Sequence, residues 1–277
     1  MSVHLTTLSE NTAARANLLA EWGLSILIEA DNHTILLDTG QSLSAAYNAI
    51  ASGVNLSQID KIIFSHGHFD HTGGLLYILK MLKRKVEIIA HPDIWTLKYA
   101  RRPEQTMEYI GVPFAREAAE TVGASFNLTR EPVWISENIV TSGEIPMVME
   151  YEKIDPALHI KDKGEFRPDP LLDDQALFIK FDKGLIIILG CAHRGVINTI
   201  RHAQKLTGIE RVYAVIGGTH LVSASPQRIE LTIAELLRSG VQKLGVSHCT
   251  GLAASAIMAQ RFGEAFFFNN AGTRISL

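Results

Sequence analysis

Residues 65–74 read SHGHFDHTGG, which places His66, His68 and His71 within six positions of one another, with Asp70 among them. The 277-residue chain has only 11 histidines, so the concentration calls for a chemical reason. A solvated charge run needs no such spacing, and an apolar core resists it. Imidazole and carboxylate together form a donor set for Zn²⁺, Mn²⁺ and Fe²⁺, with Zn–N bonds of about 2.0–2.1 Å. In an extended segment residues two apart share a side, so His66 and His68 can point inward together. Asp70 and His71 swing to the other side as a helix begins, and one short loop can then feed two metal ions.

Further candidates stand at the ends of apolar runs. GCAHRG at 190–195 carries Cys191 and His193, GGTHL at 217–221 carries His220, and SHCTG at 247–251 carries His248. Cys191 is either a thiolate donor or a plain buried thiol. His193 is read as a ligand, because its glycine-flanked turn gives it no core role. His220 is a candidate proton donor or substrate contact, and an ordinary loop histidine remains the other reading. In TSGEIP at 141–146, Glu144 is open to three roles: ligand, general base or loop cap. His91, in AHPD, borders the site in this reading, whereas His4, His33, His159 and His202 have no motif around them.

The elements that must position these groups follow from hydrophobic patterning. Ile- and Leu-rich runs bounded by turn residues at 24–29, 34–37, 61–64 and 86–90 read as strands. Residues 42–52, closed by Gly53, and 75–83 read as helices. The histidine cluster therefore lies between a strand and a helix. In the second half, 176–181 and 185–189 form a hairpin about Asp182, Lys183 and Gly184. A helix (196–206), strand (212–216), helix (226–238), strand (243–247), helix (253–262) and strand (265–268) complete the order. Residues near 92–132 hold Arg and Glu amid helix formers and are expected to be a helical, lid-like insertion. The polar, proline-bearing stretch near 150–174 is expected to be a long loop.

Composition narrows the function classes. With 26 basic and 29 acidic residues the net charge is −3, which gives no broad basic field for nucleic acid or an anionic membrane. Two cysteines are too few for a disulfide framework, and MSVHLTTLSEN lacks the basic and apolar regions of a signal peptide, so a cytoplasmic location is expected. No apolar run approaches the roughly 20 residues of a membrane helix. The expected partner is a small-molecule substrate, with no nucleic acid and no membrane; the sequence is silent on oligomeric state. Arg101, Arg102 and Arg116, with Lys98, are candidates for a phosphate clamp, since guanidinium forks match phosphate oxygens. The competing reading is a solvated helix face.

The run from His66 to His71 resembles the HxHxDH signature of the metallo-β-lactamase superfamily, and the resemblance extends over nearly the full chain. It implies an α/β fold: an αββα sandwich of two mixed sheets packed face to face, helices outside, in a single domain spanning 1–277. Asp38, in LLDTG, matches the aspartate that orients the metal-binding loop without ligating. His248 resembles the last ligand histidine, sharing a metal with Asp70 and His71, and Cys191 stands where the family usually has a bridging aspartate. Glu144 lies in the turn where the family commonly has a histidine. The resemblance implies one or two divalent ions, Zn²⁺ foremost with Mn²⁺ or Fe²⁺ as alternatives, and a hydrolase using metal-activated water, with Asp70 orienting it.

GCAHRG, GGTHL, SHCTG and TSGEIP together are similar to the branch that includes the dihydropterin and ribofuranosylaminobenzene phosphate synthases of methanopterin biosynthesis. The alternative function is therefore a transferase condensing those two substrates. A non-catalytic metal- or ligand-binding protein is the second alternative. Di-iron redox members of the superfamily carry a fused flavin domain, for which 277 residues leave no room.

Overall fold

The structure, a computed structural model, describes residues 1–277. In chain order the first elements are β1 (Val3–Ser9), β2 (Ser25–Ala30), β3 (His33–Leu37), α1 (Ser44–Ala51), β4 (Lys61–Ile63), α2 (Phe69–Thr72), α3 (Leu75–Leu82) and β5 (Val86–Ala90). They are followed by β6 (Lys98–Arg101), β7 (Met107–Tyr109), α4 (Arg116–Thr121), β8 (Ala124–Leu128), β9 (Ile139–Thr141), β10 (Leu158–Asp162) and β11 (Glu165–Pro168). The last are β12 (Ala176–Phe181), β13 (Gly184–Leu189), α5 (Val196–Thr207), β14 (Val212–Gly218), α6 (Pro226–Arg238), β15 (Lys243–Ser247), α7 (Leu252–Phe262), β16 (Phe266–Phe268) and β17 (Arg274–Ser276). No helix is long and apolar enough to cross a membrane.

The chain divides into two compact units. The N-terminal unit, Ser2–Arg130 with Asp155–Asp173 and Asn270–Leu277, contains a seven-stranded sheet in the order β17-β1-β2-β3-β4-β5-β8 and a four-stranded sheet in the order β11-β10-β6-β7. From β3 to β8 the larger sheet is parallel, and its β3, β4 and β5 end together. Its core gathers Leu36, Ile62, Phe64 and Ile88 with Ala45, Leu75, Ile78 and Leu79 from α1 and α3. Burial on both faces explains why β4 and β5 read as continuous apolar runs rather than alternating ones.

The C-terminal unit, Glu131–Ile154 and Asp174–Asn269 with Met1, contains a six-stranded sheet in the order β16-β15-β14-β13-β12-β9. β12 and β13 form the expected hairpin, and β13, β14, β15 and β16 run parallel. Every residue of β13 and β14 is buried. Ile197, Ile200 and Ala203 of α5, with Ile229, Ile233 and Leu236 of α6, pack in the same core.

Two expectations are corrected. Residues 92–132 are not a helical insertion: a 3₁₀ turn (Pro92–Trp95), β6, β7, the six-residue α4 and β8 fill them. Residues 150–174 are not a long loop, because β10 and β11 pair as a hairpin over His159–Pro168, and β10 also pairs with β6. β7 and β11 are short and largely exposed, so they show no period-2 burial pattern, and their stability comes from cross-strand pairing.

Candidate metal centre

In the N-terminal unit the parallel sheet delivers β3 and β4 side by side. Asp38 follows β3 with φ 58°, a left-handed conformation that aspartate tolerates better than most residues. Its side chain is wholly buried and fully used. Oδ1 accepts the Ser65 N–H at 2.8 Å, while Oδ2 accepts the Ser65 hydroxyl and faces His71 Nδ1, both at 2.7 Å. Bonding at Nδ1 favours the tautomer whose Nε2 lone pair is open, and that nitrogen lies 3.9 Å from Asp70 Oδ2.

Past β4 the chain bends at Ser65 and Gly67, His68 is extended as the N-cap, and α2 begins at Phe69. This path brings His66 and His68 together, with His66 Nε2 3.0 Å from His68 Nδ1. The His66 ring lies 4.5 Å from that of His68 and 4.2 Å from that of His71, centroid to centroid. All four candidate donors of this loop are buried. Burial first, and then the Lys98 charge, lower the His68 pKa to about 3, against opposing pulls from Asp70 and Asp173. His68 is accordingly neutral at pH 7, with a lone pair to offer.

Gly67 makes the tight passage between the two histidines possible: a Cβ there would sit 2.4 Å from the Ile94 carbonyl oxygen. Its N–H donates to Asp173 Oδ2 at 2.8 Å, and the Phe69 N–H donates to the Ile110 carbonyl at 2.9 Å. Lys98 is not part of a phosphate clamp. It is buried and its Nζ bonds Asp173 Oδ1 at 2.8 Å and Asp169 Oδ2 at 2.9 Å. Burial opposes its charge, but the two carboxylates outweigh burial and raise the Lys98 pKa.

Arg101 and Arg102 are exposed at the end of β6 rather than on a helix. Arg101 Nη2 donates to His159 Nε2 at 2.9 Å, and Arg102 pairs with Glu108. Arg116, on α4, pairs with Glu120 one turn on. His91 uses Nδ1 to accept the Asp93 N–H and caps the 3₁₀ turn. A cleft of about 520 Å³ is lined by Phe69, Tyr109, Val112, Pro113 and Phe114, so one wall belongs to the histidine loop itself.

In the C-terminal unit the ends of β13, β14 and β15 are adjacent, as parallel registry requires: Leu189 pairs with Gly217, and Gly218 with Ser247. Just beyond each end stands a non-glycine residue with positive φ: Ala192 (51°), His220 (45°) and His248 (50°). Backbone strain gathered at neighbouring strand tips is characteristic of functional loops. The donor atoms of Cys191, His193 and His220 lie within 4.8 Å of one another, as do those of Cys191, His248 and Cys249. The His193 and His220 rings are 4.1 Å apart. His220, read from sequence as a proton donor, thus stands among potential ligands. Glu144, half-buried, belongs to neither donor group.

Cys249 was not singled out by sequence reasoning. Its sulfur accepts the His220 N–H at 3.3 Å. Burial resists ionisation of the thiol, but hydrogen bonds with Cys191 and His220 and the nearby His248 outweigh it and hold the pKa well below the usual value. Adjacency to His248 in SHCTG was the available signal. The buried imidazole and carboxylate groups of the N-terminal unit, and the buried imidazole and thiol groups of the C-terminal unit, are each donor types that suit a divalent ion of the zinc type.

The Metallo-beta-lactamase superfamily profile matches residues 23–196, and the chain belongs to that superfamily. The mixed sheets and helices are the fold of its members, which usually bind divalent metals. Among individual relatives, the chain is 35% identical to the 7,8-dihydropterin-6-methyl-4-(beta-D-ribofuranosyl)-aminobenzene-5'-phosphate synthase of Methanocaldococcus jannaschii, across 98% of this chain and 95% of that one. It is 33% identical to an uncharacterised protein of the same organism, across 91% and 93% of the two chains. It also matches the crystal structure of a metal-dependent hydrolase of the β-lactamase superfamily with a TM-score of 0.85 at 25% identity, covering 99% and 98%.

Proposed function

We propose that the protein is a metal-dependent synthase that joins a dihydropterin to a ribofuranosylaminobenzene phosphate. The observation that carries this reading is the 35% identity with such a synthase over nearly the whole of both chains. Hydrolysis by metal-activated water is the second reading, favoured by the likeness to a metal-dependent hydrolase.

The proposed donors that would hold one or two divalent ions, Zn²⁺ foremost, are His66, His68, Asp70 and His71 in the N-terminal unit and His193 and His248, with Cys191 as a further donor, in the C-terminal unit. A bound ion would supply Lewis acidity, toward the departing pyrophosphate in the synthase reading and toward water, whose pKa it would lower to about 7, in the hydrolytic one. The remaining roles belong to the chain. Asp38 orients His71 through Nδ1 and so aims Nε2. The neutral His68 keeps its lone pair across the physiological range. His220, whose ring neighbours that of His193, holds or gives a proton at the leaving group.

For the substrate, the aromatic walls of the cleft, Phe69, Tyr109 and Phe114, offer faces to a flat ring. Arg101 and Arg102 are the proposed phosphate contacts, exchanging surface partners for the ligand. The test is to load the protein with Zn²⁺ or Mn²⁺ and supply a dihydropterin diphosphate and a ribofuranosylaminobenzene phosphate. The reading expects release of pyrophosphate together with a coupled product whose mass is that of the two substrates less the pyrophosphate lost. It is overturned if no coupled product forms while the same preparation cleaves phosphodiesters, lactones or thioesters.

A further inference from the structure

The four-stranded sheet reaches the histidine loop through an ionic triad. Lys98 opens β6, and Asp169 and Asp173 follow β11, so all three come from the two stretches that sequence patterning read as a lid and a loop. Lys98 and Asp173 are 1% exposed and Asp169 is 4% exposed, which makes this one of the most deeply buried sets of charges in the chain. Burying charge costs several kcal/mol per ion, and a hydrophobic cluster of similar volume often serves stability as well. The triad therefore needs a reason beyond cohesion.

That reason lies in what Asp173 does with its second oxygen. Oδ1 takes Lys98, and Oδ2 takes the Gly67 N–H between His66 and His68. Two more contacts from the same part of the chain hold this loop. The Ile110 carbonyl, just past β7, accepts the Phe69 N–H, and the Ile94 carbonyl lies where any side chain at residue 67 would go. Asp169 fixes the other flank of the ammonium, and its Oδ1 also accepts the Leu171 N–H at 2.7 Å. The lysine is thus held from two directions.

We propose that Asp173, braced by Lys98 and Asp169, is a positioning residue that pre-orders the His66-Gly67-His68 backbone for metal binding and couples the four-stranded sheet to the metal site. The carboxylate touches no reacting group; it acts through the Gly67 amide. The inference rests on the reading that His66 and His68 are metal ligands.

Metal affinity of the full-length protein tests it, measured by competition between Zn²⁺ and a chromophoric chelator and by the visible spectrum of the Co²⁺ form. Asp173→Ala removes the acceptor and is expected to weaken binding about tenfold or more, as loss of a ligand-orienting partner does, and to shift the Co²⁺ bands. Asp173→Asn keeps one oxygen for the Gly67 N–H but loses the acceptor for Lys98, and is expected to recover part of that loss. Val86→Ala trims the core of the same unit away from the loop and is expected to leave affinity unchanged. The proposal is overturned if Asp173→Ala binds as tightly as the parent with an unaltered spectrum, or if Val86→Ala loses as much. Should Asp173→Ala fail to fold, amide exchange in the parent decides: Gly67 and Phe69 protected before metal is added supports the tether, and protection that arises only with metal overturns it. Failure of the ligand reading itself looks different, because His66→Ala/His68→Ala then takes up as much Co²⁺ as the parent.

Discussion

Asp38 satisfies three polar groups with one carboxylate: the Ser65 amide, the Ser65 hydroxyl and His71 Nδ1. Asp38→Ala leaves buried donors without an acceptor in a left-handed backbone position, and a loss of about 2–4 kcal/mol is expected in urea unfolding of the metal-free protein. His68 gives a pH signature. Its pKa of about 3 in the folded state lies below the ordinary imidazole value of 6.5, so between these values the unfolded chain binds a proton that the folded chain excludes. Stability of the metal-free protein should therefore rise with pH across that window, by up to about 1.4 kcal/mol per pH unit. His68→Gln should flatten the slope of urea midpoint against pH, and an unchanged slope would contradict the assignment. At this scale the histidine loop was legible because its donors are neighbours in sequence. The Lys98–Asp173 pair was not, since its members lie 75 positions apart and a lone lysine carries no signal of its partner.

At the scale of elements, α5 shows how the GCAHRG turn is anchored. The buried Glu152 carboxylate accepts the Ile197 and Asn198 N–H groups in the first turn of the helix, four to five residues past His193. Gly195, at φ 101°, lies against it; a Cβ there would be 2.2 Å from Glu152 Oε2. Glu152→Ala should cost about 1–3 kcal/mol by leaving those amides unsatisfied, read as a lowered thermal midpoint with faster proteolysis near residue 194. Strands and helices that bury apolar faces, such as β4, β13 and α6, were readable from their patterns. β7 and β11 were not: three or four exposed residues present no period, and the Arg and Glu content around them imitates a helix surface.

For the whole molecule, the motifs at strand ends fixed the superfamily because they join particular residues to particular topological positions, and the profile match over residues 23–196 bears that out. The reaction was less legible: hydrolase and synthase members draw on the same donor chemistry, and near-full-length identity to a synthase favours the transferase over the hydrolase first expected. Stripping metal with a chelator should abolish catalysis without unfolding the chain, since each unit has a hydrophobic core of its own; far-ultraviolet circular dichroism recorded alongside activity checks this. The central claim is that these imidazole, carboxylate and thiol groups hold divalent metal. Equilibrium dialysis against Zn²⁺ with elemental analysis tests it most directly, comparing the parent with His66→Ala/His68→Ala and His193→Ala/His248→Ala. The expected result is one or two ions per parent chain and fewer in each double variant. A parent that retains no ion, or variants that retain as many as the parent, would contradict it.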